Sequence, residues 1–138
     1  MRLATTLLSF ALAFLLAACS LSPLDAARLS LGATVAAYDA AEPRLEAQRI
    51  AAGRACLEAS APPSTLPACL SDVRARWAPV RAASERTYRA IVAALALLHL
   101  SEAGAALGQG VDVAKLARAV SLAIDAARAL EAALEGVP

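Results

Sequence analysis

The chain has 138 residues, and its 13 basic and 12 acidic side chains give a formal net charge of +1. That length allows one small domain, and the balanced charge excludes a general electrostatic attraction to nucleic acid or to anionic lipid. Hydrophobic residues make up 59% of the chain, but aromatic residues make up only 4%. Alanine-rich segments that lack a two-residue alternation predict an all-α fold.

The first predicted element is a leader. Met1-Arg2 provides a positive start, and residues 3–18 carry no charge. This uncharged run is shorter than the roughly 20 apolar residues that a membrane span needs. The pattern predicts a secretory signal peptide over residues 1–18 and a single mature domain over residues 19–138.

The end of the leader, Leu16-Ala17-Ala18-Cys19, resembles the lipobox of bacterial lipoproteins. The resemblance implies that the Cys19 thiol receives a diacylglycerol, that cleavage precedes Cys19, and that the new amino group is acylated. Ser20 is not the Asp that retains such proteins at the inner membrane of Gram-negative cells. The resemblance therefore implies an outer-membrane lipoprotein facing the periplasm, or one on the outer face of the cytoplasmic membrane of a Gram-positive cell. The alternatives are an ordinary cleaved signal with a free cysteine and an uncleaved anchor.

The first predicted helix covers about residues 23–58. Ser22, Pro23 and Asp25 form a start signal of the capping-box kind. Pro43 predicts a kink, or a break just before it. Apolar residues at heptad spacing predict a narrow seam of the coiled-coil kind. The seam consists of Leu24, Ala27, Leu31, Val35, Tyr38, Ala41, Leu45 and Ala52.

Cys56 and Cys69 are the cysteines that remain once Cys19 is assigned to lipid. The segment between them contains three prolines and cannot continue a helix. Because export leads to an oxidising compartment, we expect a disulfide that closes this turn. Two free buried thiols and a metal pair are the alternatives, but no further ligands at metal-binding spacing accompany the cysteines, so we expect no metal.

The second helix is predicted over about residues 67–103, with Pro79 interrupting it. Residues 90–100 are apolar on every side except at His99, which predicts burial all round and a core histidine. Gly104, Gly108 and Gly110 predict a loop, so the motif formed by residues 104–108 belongs to that loop. The expected inner face consists of Leu70, Val73, Trp77, Val80, Ile91 and Leu98.

The third helix is predicted over residues 113–135, with Asp112 as its cap and an apolar stripe that runs from Leu116 to Leu134. A disulfide at the turn would make the first two helices an antiparallel hairpin, with residue i level with about residue 125 − i. Tyr38 would then lie near Tyr88. The third helix would pack back on the hairpin, giving a small three-helix bundle at one end and a two-helix arm at the other.

The sequence shows no catalytic set and no phosphate-binding loop, so we expect neither an enzyme nor a cofactor. The arm carries a candidate partner-binding tip, because Trp and Arg are the residues that most often anchor interfaces. The tip consists of Arg49, Arg54, Arg74, Arg76 and Trp77, with Arg81 nearby. The competing interpretation places Trp77 in the core and leaves the arginines merely solvated.

We therefore expect a membrane-anchored, non-enzymatic lipoprotein with a structural or protein-interaction role in the cell envelope. It would contact a protein partner or the cell wall. A lipid- or small-ligand-binding helical module is one alternative, and a phage- or prophage-encoded envelope lipoprotein is another. Self-assembly is a third, because a narrow apolar seam can pair between chains as well as within one.

Overall fold

A computed structural model describes residues 21–60 and 63–136. The predicted leader and Cys19 lie outside the described residues. Within them the chain forms helix α1 at Pro23–Ala59, a 3₁₀ turn at Pro63–Thr65, helix α2 at Leu66–Ala106 and helix α3 at Val113–Glu135. No strand is present in this part of the chain. The predicted all-α fold is confirmed.

Helices α1 and α3 begin directly after Ser22 and Asp112, the residues that predicted their starts. Ser22 Oγ accepts a hydrogen bond from the Asp25 backbone N–H at 3.2 Å, and Asp112 Oδ1 accepts one from the Lys115 N–H at 2.9 Å. Each oxygen satisfies a backbone donor that the first helical turn leaves without a partner. Helix α2 continues to Ala106, so Gly104 lies in its last turn rather than in the predicted loop. The chain then turns at Gly108, which has a φ of 70°.

Pro43 and Pro79 both lie inside continuous helices. The break considered before Pro43 does not occur. Both prolines are exposed, so water can satisfy the carbonyl group that each ring leaves without its helical donor.

Helices α1 and α2 form the predicted antiparallel hairpin. A Cys56–Cys69 disulfide joins them at the turn, with the Cα atoms 5.7 Å apart. Further down, Tyr38 Oη lies 3.2 Å from Ser84 Oγ, and the rings of Tyr38 and Tyr88 are 6.4 Å apart. These pairs fix the predicted register along the length of the hairpin.

The apolar interior divides into two clusters along the hairpin. We call the described residues 21–41 and 85–129 the base, and residues 42–84 the arm. All three helices contribute to the base core, which consists of Ala27, Leu31, Ile91, Ala94, Leu98, Leu116, Val120 and Ala123. Only the end of α3 reaches the arm, whose buried cluster consists of Cys56, Val73, Trp77, Val80, Ala83 and Leu130.

Between the two clusters, the fully buried Thr87 connects α2 to α3. Its Oγ1 lies 2.9 Å from the carbonyl oxygens of Ala83 and Ala126. The short connection from Ala106 to Val113 makes α3 antiparallel to α2. Because Thr87 is level with Ala126, Glu135 at the end of α3 lies level with about residue 78 of α2. Beyond that level the hairpin continues as two helices, as predicted for the arm.

The prediction that residues 90–100 are buried on all sides is wrong. Ile91, Ala94 and Leu98 are buried, but Val92 is exposed and Leu100 is 70% exposed. The reason is that α1 and α3 cover only about half of the circumference of α2. By length and composition alone, the helical segment Pro63–Ala106 is apolar enough to cross a membrane, with 17% of its most apolar 18-residue window buried. One such helix is weak evidence for a membrane span. The exposed apolar half of α2 is the reason that so little of this window is buried.

Candidate functional site

An open groove of about 850 Å³ lies on the arm. It is lined by the α1 segment from Glu42 to Gly53 and the α2 segment from Leu70 to Ser84. No residue of α3 lines it. Ala83 and Thr87 turn toward α3, whereas the lining residues Arg74, Trp77 and Arg81 lie on the next face of α2. The groove therefore opens on a different face of the hairpin from the one that α3 covers.

The floor of the groove is apolar. Leu45 of α1 and the buried Val73, Trp77 and Val80 of α2 form the apolar lining, and Leu70 lines the upper end. Trp77 is only 9% exposed, so it belongs to the arm core and also lines the groove. Leu70, predicted to point inward, is 38% exposed and stands at the groove edge. An apolar floor with one large aromatic ring is typical of a surface that binds another protein.

The α1 rim of the groove is acidic. Arg49 donates two hydrogen bonds to Glu46, from Nε to Oε2 at 3.0 Å and from one terminal nitrogen to Oε1 at 2.7 Å. These hydrogen bonds lower the pKa of Glu46 and raise the pKa of Arg49, so the two charges largely cancel. Glu42 stands one turn before Glu46 and forms no ion pair within the described residues. The α1 rim therefore carries one net negative charge, and Glu42 provides it.

The α2 rim is basic. Arg74 and Arg81 are seven residues apart, which places both side chains on one side of the helix about 10 Å from each other. Ala78 lies between them, so the rim is low at its middle. Neither arginine has an ion-pair partner in the part of the chain that the structure describes. The groove thus has an acidic side and a basic side.

Gly53 leaves the upper end of the α1 rim open. A Cβ atom built at Gly53 meets nothing within 4 Å, and the same is true at Gly32, which lies far from the groove in the base. A Cβ atom at Gly53 would therefore strike no other atom of the chain, and a larger side chain there would extend from the lining of the groove. The two glycines therefore offer a matched pair of positions, one at the groove and one remote from it.

The structure brings together part of the predicted tip. Arg49, Arg74 and Trp77 line one groove, whereas Arg54 and Arg76 are exposed but do not contribute to the lining. Sequence reasoning missed Glu42 and Gly53. The signal was present, because positions 42, 46, 49 and 53 recur at helical spacing on one face of α1.

The remaining candidate, His99, is not a core histidine as predicted. Its side chain is 75% exposed, and its Nδ1 lies 3.5 Å from Glu102 Oε2. His99 falls on the half of α2 that neither neighbouring helix covers. Within the described residues, no group of three His, Cys, Asp or Glu side chains is arranged to hold a metal ion.

Comparison with known proteins gives no relative for this chain: no protein-family model, curated protein or solved structure matches it.

Proposed function

We propose that this protein is a lipid-anchored envelope lipoprotein that holds a protein-binding groove away from the membrane surface, without enzymatic activity. The leader that ends in Leu16-Ala17-Ala18-Cys19 supports the anchor. Two or three acyl chains at Cys19 would give stable membrane attachment without a spanning helix.

The observation that carries the proposal is the position of the groove relative to the anchor. Helix α1 begins at Pro23, four residues after Cys19, and runs without interruption to Ala59. At 1.5 Å per residue, the middle of the groove stands about 35 Å along the helix from Pro23. A continuous helix of this length acts as a stiff spacer, so the groove can be presented to another protein at a distance from the bilayer.

The character of the groove supports a protein as the ligand. The floor is apolar and contains the only tryptophan of the chain, and charged side chains form the two rims. Protein interfaces combine an apolar centre with a polar rim in this way. A bundle that opens around an apolar ligand is less favoured, because Leu31, Ala94 and Ala123 in the base core are completely buried and closely packed.

The test uses the full-length chain expressed in a Gram-negative host and cross-linked in the intact envelope. Gly53→Phe fills the upper end of the groove, and Gly32→Phe is the matched control because both positions are open. Mass spectrometry identifies the cross-linked protein and the mature N-terminus. We expect an acylated Cys19 and a cross-linked protein that is lost in Gly53→Phe and retained in Gly32→Phe.

Three results would overturn parts of this proposal separately. An unmodified Cys19 would remove the lipid anchor. Cross-links that survive in Gly53→Phe as well as in Gly32→Phe would remove the groove as the docking surface. Copurified acyl chains that disappear in Gly53→Phe would replace the protein ligand with a lipid.

A further inference from the structure

We propose that the groove binds a second copy of this chain, so that two arms pair face to face about a two-fold axis parallel to the helices. The inference rests on the proposed function, because it names the protein that the groove would bind. It follows from the distribution of charge across the groove and from the end of the molecule at which the described chain begins.

The charge distribution makes the groove complementary to itself. A two-fold axis parallel to the helices places α1 of one copy opposite α2 of the other. The α1 rim, whose one net negative charge comes from Glu42, then faces the α2 rim containing Arg74 and Arg81, and the same contact occurs twice. A two-fold axis perpendicular to the helices would instead place α1 against α1 and α2 against α2, so that the two basic rims containing Arg74 and Arg81 would face each other. Like charges across an interface oppose association, so the charges favour the parallel arrangement.

The register of the hairpin places these charges at the same height. Cys56 is joined to Cys69, and Tyr38 contacts Tyr88, so Arg81 lies level with about residue 44 of α1. In the parallel pair, α1 of the second copy keeps the same height. Arg81 would therefore lie within about 3 Å, along the helix axis, of the levels of both Glu42 and Glu46 of the second copy. Arg81 would meet an acidic side chain rather than a gap, whereas Arg74 lies level with about residue 51 and would be nearest to Arg49, whose charge Glu46 largely cancels.

The start of the described chain selects the same arrangement independently. Leu21, the first described residue, is at the base of the molecule, so a lipid attached to Cys19, two residues earlier in the sequence, would be at that end. Two copies related by the parallel axis have both bases at one end, where both can attach to one membrane. The perpendicular axis would place the two anchors at opposite ends.

Exposed apolar side chains around the groove provide a surface for the contact. Ile50 and Leu57 continue the α1 face on which Glu46 and Gly53 lie, and Tyr88 continues the α2 face of Arg81 and Ser84. All three are exposed, as is Leu70 at the groove edge. A second copy would cover these four exposed apolar side chains.

The test measures self-association of the full-length acylated chain in mild detergent by sedimentation velocity over a range of concentrations. We expect a dimer for the wild type. Glu42→Arg alone and Arg81→Glu alone each place like charges across the interface twice. Each should raise the dissociation constant of the dimer by about tenfold. Both residues are exposed, so circular dichroism should show an unchanged fold.

The decisive sample is an equimolar mixture of the Glu42→Arg and Arg81→Glu chains carrying different tags. In the mixed pair both rim contacts again join opposite charges, so a mixed dimer of nearly wild-type strength should form. A wild-type chain that stays monomeric, or a mixture that does not recover association, would overturn the inference. If the wild type is monomeric while Gly53→Phe still removes a cross-link to a different envelope protein, the proposed function stands and only the identity of the partner fails.

Discussion

The base and the arm of this molecule use the same alanine-rich helices but are stabilised differently. In the base, three helices meet around Leu31, Ala94 and Ala123, which are completely buried. In the arm, only the end of α3 contacts the hairpin, through Leu130 and its neighbours, and the Cys56–Cys69 disulfide closes the far end. Small side chains allow close packing where a third helix is present. Where it is absent, the hairpin needs a covalent link and leaves a face open.

This contrast also separates the two roles proposed for the molecule. The base has a filled core and lies nearest to the predicted lipid attachment at Cys19. The arm has the groove, with a partly stabilised core beneath it. A docking surface on a less completely packed segment is common, because packing and binding compete for the same apolar side chains.

The largest expected effect comes from the base core. Leu31→Ala removes a completely buried side chain from the centre of three helices and should lower the free energy of unfolding by about 4 kcal/mol. Leu29→Ala is the control, because Leu29 is 62% exposed and two residues away, and it should change stability by less than about 0.5 kcal/mol. Urea denaturation measures both. Equal losses would show that the base is not the packed core described here.

The next effect should be confined to the arm. Replacing both cysteines, Cys56→Ser with Cys69→Ser, removes a link that spans 13 residues of sequence, and should cost about 3 kcal/mol through the entropy of the unfolded chain. Hydrogen exchange should quicken in residues 46–59 and 66–78 but remain slow in residues 113–130. Faster exchange throughout all three helices would indicate that the arm and base unfold together.

A smaller effect, a gain in stability from replacing a helical glycine with alanine, should be equal in the arm and in the base. Gly53→Ala in the arm and Gly32→Ala in the base each add a methyl group in open space within a helix. Because alanine favours the helix, each should raise the free energy of unfolding by about 0.5–1 kcal/mol. Thermal denaturation compares them. A gain at Gly32 without a gain at Gly53 would show that α1 is frayed in the arm even with the disulfide intact.

The smallest effect concerns pH. At the base, the hydrogen bond and charge of Arg28 lower the pKa of Glu102, and the two side chains link α1 to α2 at 2.6 Å. A carboxyl group with a lowered folded pKa contributes stability above its unfolded pKa and loses that contribution as the pH falls through its folded pKa. Glu102→Gln should therefore be slightly less stable than the wild type at neutral pH, and the difference should shrink below pH 4. A difference that persists at low pH would mean that the ion pair is not its cause.

The sequence predicted the features that depend on neighbours along the chain. Ser22 and Asp112 cap their helices as expected, and the heptad seam and the cysteine pair together predicted the hairpin and its register. These signals are local or periodic, so composition and spacing reveal them.

The sequence did not predict features that depend on how many helices surround a given face. The apolar pattern of residues 90–100 predicts burial on all sides. Val92 and Leu100 are nevertheless exposed, because only two helices pack against α2. The same limit applied to the groove. Trp77, Arg74 and Arg49 were recognised, but Glu42 and Gly53 gain their significance only from the α2 residues opposite them.

Photo-cross-linking in the intact envelope, from two single positions of the full-length chain, tests most directly whether the arm groove is the docking surface. A benzophenone amino acid at Ala78 would lie in the groove, and one at Arg118 would lie on the exposed face of α3 in the base. We expect a protein adduct from position 78, with the mass of a second copy of the chain, and none from position 118. An adduct from position 118 with none from position 78 would contradict the assignment of the arm groove as the docking surface.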